Sequence, residues 1–146
     1  MCHTNLQETM PDYKPLAKKA AGEEDMKEAP CSVKQCGDKT YYCSVELTLQ
    51  VIGGKWKPII LFRLGRDGVM RFSDLGRAMP NISQKVMTQQ LRELENDGLV
   101  NRKVYPQVPP KVEYSLTELG RSVMPVIESL CDWGHSYEEW HKERAA

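Results

Sequence analysis

A chain of 146 residues is long enough for one domain with a real core and a short appendage. Twenty Lys and Arg balance 20 Asp and Glu, which excludes a partner held by bulk charge alone. No apolar run approaches the roughly 18 residues of a membrane span and the N-terminus lacks a signal-peptide core, so a soluble, cytoplasmic protein is expected.

Residues 1–42 read as a flexible N-terminal extension with cysteines, and residues 43–143 as the folded domain. Cys31, Cys36 and Cys43 have the spacing C-x4-C-x6-C, with Cys2 and His3 further upstream. That spacing matches no familiar zinc template, which a C-x2-C pair usually anchors, and lacks the dithiol spacing of an oxidoreductase. No metal, no cofactor and no enzymatic activity are therefore expected. Five cysteines without a secretion signal are expected to be mainly reduced thiols.

From Ser44 the pattern turns regular. Val45, Leu49 and Ile52 lie at helical spacing behind Ser44 as N-cap, and Gly53-Gly54 stops the helix. A second helix with Pro58 in its first turn carries Ile59, Ile60, Leu61, Phe62 and Leu64, apolar nearly all round, and reads as the buried centre, with Trp56 as a core anchor. Gly65 to Gly68 turns the chain, and Val69 to Phe72 is expected as a short strand. A shorter helix over 71–79, capped by Ser73, ends at Pro80-Asn81.

The next helix has both ends written into its sequence. Ser83 is the N-cap and Gly98 the C′ residue, which makes Leu94 the C3 and Leu99 the C″ partner of a Schellman ending. Met87, Leu91 and Leu94 form the apolar stripe. Gln84, Lys85, Thr88, Gln89 and Arg92 lie on the polar side, a set suited to phosphates and base edges: Arg and Lys to guanine, Gln to adenine, Thr to the thymine methyl.

Two alternating segments follow, Leu99 to Tyr105 and Lys111 to Leu116, joined by the stiff Pro106 to Pro110 tip. A helix-turn-helix followed by such a hairpin is a winged helix, whose second helix enters the major groove while the wing tracks the backbone. Arg102, Lys103 and Lys111 then fall where phosphates run. Residues 77–111 hold six Lys/Arg against three Asp/Glu, a local +3; residues 112–146 hold three against seven, a local −4. A basic reading surface thus coexists with an acidic body.

Behind Thr117 as cap, Leu119, Val123, Val126, Leu130, Trp133, Tyr137 and Trp140 repeat at spacings of four and three, with Pro125 and Gly134 allowing bends. A stripe of that length calls for a second copy, so a homodimer through these C-terminal helices, joined by the Ser44 helix, is expected.

Ser44 to Lys57, Leu91 to Leu99, Pro109 to Gly120 and Trp133-Gly134 together resemble the HxlR-type transcriptional regulators, whose fold is similar to MarR regulators. The resemblance covers about residues 43–140. It implies a mainly α fold with a small β-sheet, a winged helix-turn-helix with a long C-terminal dimerisation helix, and a dimeric repressor-type regulator of double-stranded operator DNA. Many members respond to oxidants, electrophiles or aldehydes, and thiol-sensing ones carry a cysteine before the first helix, usually followed by proline. Here Cys43 is followed by Ser44. A thiol at a helix N-terminus also has its thiolate favoured by the dipole. With Cys131 beside Leu130 on the expected dimer helix, an oxidative bridge from Cys43 to Cys131 of the partner subunit is implied, altering the spacing of the reading heads. The rival readings are a winged helix used for protein contacts and a metal or thiol function of the N-terminal cysteines.

Overall fold

The computed structural model describes residues 32–146, so the expectations placed on Cys2, His3 and Cys31 lie outside the described residues. In chain order it has β1 (Lys34–Cys36), β2 (Lys39–Tyr41), α1 (Ser44–Ile52), α2 (Trp56–Asp67), β3 (Met70–Arg71) and α3 (Phe72–Ala78). Then come α4 (Gln84–Asn96), β4 (Val100–Tyr105), β5 (Lys111–Leu116), α5 (Glu118–Ser122) and α6 (Met124–Ala145).

α2 is the hub. Ile60, Leu61 and Leu64 are buried and share one core with Leu75 of α3, with Met87, Leu91 and Leu94 of α4, and with Met124 and Ile127 of α6. A side chain at Gly65 would collide with Met124, so α2 and α6 cross closely there. The helix is not buried all round: Ile59 is exposed, and Trp56 is half-buried under the Lys55 ammonium, 4.6 Å from the ring centroid, rather than a core anchor. The sheet has the order β3-β5-β4, with Val104 opposite Val112 and Met70 opposite Tyr114.

Three local expectations are corrected. Cys43, not Ser44, is the N-cap of α1, and its carbonyl accepts from the Leu47 N–H at 3.2 Å. Arg71, not Ser73, precedes α3, and the Asp74 carboxylate in the first turn accepts from the Arg71 N–H at 3.3 Å. The stripe from Leu119 to Trp140 does not lie on one helix. The helix breaks at Val123 because Pro125 has no N–H to continue α5, and it restarts with proline in the first turn of α6. Gly134 interrupts nothing.

Residues 34–41 lie in the stretch expected to be a flexible extension, yet they form a hairpin turned at Gly37 (φ 59°). It is tied to the domain at two points. Gln50 of α1 donates to the Thr40 carbonyl at 2.8 Å, and Lys39 pairs with Asp97 at the end of α4 at 2.6 Å. That contact raises the Lys39 pKa, chiefly through the hydrogen bond to Asp97.

Candidate nucleic-acid interface

α4 is fixed at both ends. The Ser83 hydroxyl accepts from the Val86 N–H at 3.2 Å. At the other end the Leu99 N–H donates to the Leu94 carbonyl at 2.9 Å and the Gly98 N–H to the Glu95 carbonyl at 3.0 Å, with Gly98 at φ 79°. These are the two hydrogen bonds of a Schellman ending, and Leu94 and Leu99 are both buried beside it.

With Met87, Leu91 and Leu94 sealed in the core, the other side of α4 faces solvent. Ser83, Gln84, Lys85, Gln89 and Arg92 are exposed, and Thr88 is half-buried with its hydroxyl donating to the Gln84 carbonyl at 2.8 Å. All of them but Ser83 line a shallow groove with Phe72, the first residue of α3. Phe72 also borders a second hollow, between Arg71 and Ser73 on one side and Gln107, Pro109 and Lys111 of the wing on the other. The start of α3 therefore sits between the α4 ridge and the wing tip. Arg71, exposed on β3, joins that surface; sequence reading missed it, although a basic residue directly before the first helix of a helix-turn-helix was a usable signal.

The wing residues differ among themselves. Arg102 and Lys103 are exposed on β4, the Lys103 ammonium lying 4.8 Å from the Tyr105 ring centroid. Lys111 is already engaged. Its ammonium lies 2.7 Å from a Glu113 oxygen and 4.6 Å from the same ring, while the Tyr105 hydroxyl donates to the other Glu113 oxygen at 3.0 Å. The Lys111 hydrogen bond, then desolvation opposing it, leaves the Glu113 carboxyl below its usual range.

Behind the ridge lies an ion pair that sequence reading did not find. Lys57 of α2 is only 8 % exposed and its ammonium lies 2.8 Å from Glu93 of α4. The other Glu93 oxygen accepts from the Gln89 side-chain amide at 2.8 Å. Hydrogen bonds from Lys57 first and Gln89 second hold the Glu93 carboxyl below its ordinary value.

The expected dimer residues are outward-facing. Leu119, Val126, Leu130, Trp133, Tyr137 and Trp140 are exposed and Val123 is half-buried; α6 buries only Met124 and Ile127 among the described residues. Trp133 is 67 % exposed and stacks on Tyr137 at 5.2 Å between centroids, and Tyr137 stacks on Trp140 at 6.3 Å. On α1, Val45 is 68 % and Leu49 61 % exposed. An apolar hollow between α1, the first hairpin and α5 is lined by Leu47, Val51, Leu99, Leu119 and Val126.

Cys43 is exposed at the start of α1, and half-buried Cys131 lies 3.7 Å from the His135 ring nitrogen, a neighbour that the i, i+4 spacing made legible. Among the described residues no group of three His, Cys, Asp or Glu side chains is placed to hold a metal, and no helix is long and apolar enough to cross a membrane.

Residues 51–142 match the family model described as HxlR-like helix-turn-helix. An HTH-type transcriptional regulator of Methanothermobacter thermautotrophicus is 52 % identical over 109 residues, covering 75 % of this chain and 82 % of that one. The HTH-type transcriptional regulator YtcD of Bacillus subtilis is 60 % identical over 99 residues, covering 68 % and 78 % respectively. Among solved structures, the redox regulator HypR in its reduced form superposes with a TM-score of 0.65 at 50 % identity, over 69 % of this chain and 99 % of that one. Its oxidised form gives 0.61 at 55 % identity, over 64 % and 96 %. The winged helix with its long last helix, the fixed α4 and the extent of these matches place the chain in the HxlR-like helix-turn-helix family of transcriptional regulators.

Proposed function

We propose that the chain acts as a homodimer that binds operator DNA sequence-specifically, with α4 in the major groove and the wing along the phosphate backbone. One observation carries this reading: α4 seals its apolar side in the core and leaves Gln84, Lys85, Gln89 and Arg92 in solvent. Thr88 completes the reading set, Ser83 and the N-terminal amides of α4 take a phosphate, and Arg102 and Lys103 take others. Lys111 belongs to the set conditionally, because a phosphate has to displace Glu113 from it.

A gel shift with the promoter region upstream of its own gene tests the reading. Replacing Gln89 or Arg92 by Ala lowers operator affinity by about 1–3 kcal/mol and relaxes base preference. Arg102→Ala weakens operator and random DNA alike and lowers the salt slope by about one. Equal loss on both duplexes for Gln89→Ala would refute the major-groove assignment.

For the dimer, the supporting fact is the apolar strip formed by Leu130, Trp133, Tyr137 and Trp140 of α6, with Val45 and Leu49 of α1 exposed as well. Thiol sensing through Cys43 and Cys131 draws support from the exposed position of Cys43 and from the likeness to a redox regulator solved in two redox forms. In this reading the two thiols give two electrons and two protons to an oxidant such as diamide and join as a disulfide between subunits. Non-reducing electrophoresis and mass spectrometry after diamide then show a covalent dimer that Cys43→Ser and Cys131→Ser each abolish. A monomeric adduct unaffected by Cys131→Ser removes that cysteine from the mechanism. The proposed folded unit is 43–143 with the 34–41 hairpin added to it, and residues 1–31 are accessory to DNA binding.

A further inference from the structure

Gln89 sits near the middle of the reading ridge, and what it offers a base depends on which way its amide is turned. An amide side chain rotates about a terminal torsion with two nearly equivalent settings, so an unsupported Gln presents either its oxygen or its NH2 group. Here it is supported. The Glu93 carboxylate accepts from the Gln89 NH2 group at 2.8 Å through one oxygen and from the Lys57 ammonium at 2.8 Å through the other. Lys57 is buried in α2, a helix that makes no part of the ridge, and its aliphatic stem is fixed in the core. A carboxylate held ionised by that ammonium can only accept, which leaves the amide one compatible orientation.

We infer that the Lys57–Glu93 pair is a positioning device that turns the Gln89 carbonyl oxygen toward the DNA and so selects adenine over guanine at the base pair beneath it. The inference rests on the proposed major-groove role of α4. With its NH2 group anchored, Gln89 offers an acceptor and one remaining N–H. Adenine matches that pair, its N6 amino group donating to the oxygen and its N7 accepting from the N–H. Guanine presents acceptors at both O6 and N7, so the Gln89 oxygen faces a lone pair. Without the anchor the amide turns over and donates to either purine. Specificity at one base pair is thereby written partly in a residue that never reaches the groove.

The test uses the full chain and its operator duplex. Gln89→Ala first identifies the base pair where preference changes. At that position the ratio of Kd values for guanine and adenine duplexes is measured for the wild type, for Glu93→Gln and for Lys57→Met/Glu93→Gln. Uniform electrostatic changes cancel in such a ratio. Glu93→Gln keeps the shape but can donate as well as accept, and the double variant removes the pair without orphaning the buried ammonium, so one variant remains informative if the other fails to fold. The ratio is expected to fall about fivefold or more in both, and Glu93→Gln is expected to change nothing further when Gln89 is already Ala. A merely structural role of the pair would not depend on Gln89. An unchanged ratio, additive effects, or a Gln89→Ala variant that alters preference nowhere overturns the inference while operator binding stands. A wild-type chain that prefers no duplex over random DNA overturns the DNA reading itself.

Discussion

Gly98 and Gly120 are both required, for opposite reasons. Gly98 has room around it but sits at φ 79°, where a β-carbon is strained. Gly120 has an ordinary backbone but no room, because a β-carbon there would strike the Leu99 carbonyl. Gly98→Ala is expected to cost about 1–2 kcal/mol in urea unfolding, the price of one residue in the left-handed region. Gly120→Ala is expected to cost more, since backbone has to move. The first requirement was legible in the sequence, where Leu94, Gly98 and Leu99 stand at the spacing of a helix ending. The second was not, since its cause lies 21 residues upstream in the chain. Lys57–Glu93 was hidden for the same reason: it depends on how α2 crosses α4. That pair also has a pH signature. Because the folded-state pKa of Glu93 is depressed, its contribution to stability is present above the unfolded carboxylate value and is lost as pH falls through the folded one. Glu93→Gln is expected to flatten the acid limb of a stability profile measured by circular dichroism; a limb as steep as the wild type's counts against the pair's contribution.

Among elements, the corner where α4 ends and α5 begins is held by Thr117. Its hydroxyl accepts from the Gly120 N–H at 2.9 Å and donates to the Gly98 carbonyl at 2.6 Å, while its own N–H donates to the Leu99 carbonyl at 3.0 Å. One side chain thus caps α5 and satisfies the end of α4. Thr117→Val keeps the shape and removes both hydroxyl bonds, and about 2 kcal/mol of stability is expected to go with them in urea titration. That Thr117 caps a helix was readable from position; its second bond was not. The break at Val123 shows a limit of periodicity arguments. Residues from Leu119 to Trp140 keep a heptad spacing, yet Pro125 divides the stripe between two helices. The first hairpin marks the same limit in reverse. Strands of three residues carry too little alternation to be recognised, and what holds the hairpin is Lys39 on Asp97 and Thr40 on Gln50.

At the scale of the whole molecule, α6 extends beyond what the described residues cover. Its 22 residues span about 33 Å, and the only buried ones among those described are Met124 and Ile127, both in its first turns. An isolated helix gains little stability from propensity alone, so the rest of α6 calls for packing that a second copy supplies in the proposed dimer. Leu130→Glu, which puts a charge on the exposed strip of α6 and leaves the residues of α4 unchanged, is expected to give a monomer in sedimentation and, if the proposed function holds, to lose operator affinity. A Leu130→Glu protein that still sediments as a dimer rules out that strip as the interface.

The stacked Trp133, Tyr137 and Trp140 side chains have one more consequence. Two of the chain's three tryptophans stand on that rail, and the third, Trp56, is far along the sequence in α2. Indole emission shifts to the blue when the ring leaves water. In a Trp56→Phe background the light emitted by the remaining pair therefore gauges how dry the rail is, and its wavelength is expected to drift to the red on dilution. In the proposed dimer the colour of its own fluorescence thus measures how tightly two chains hold together, with no label attached.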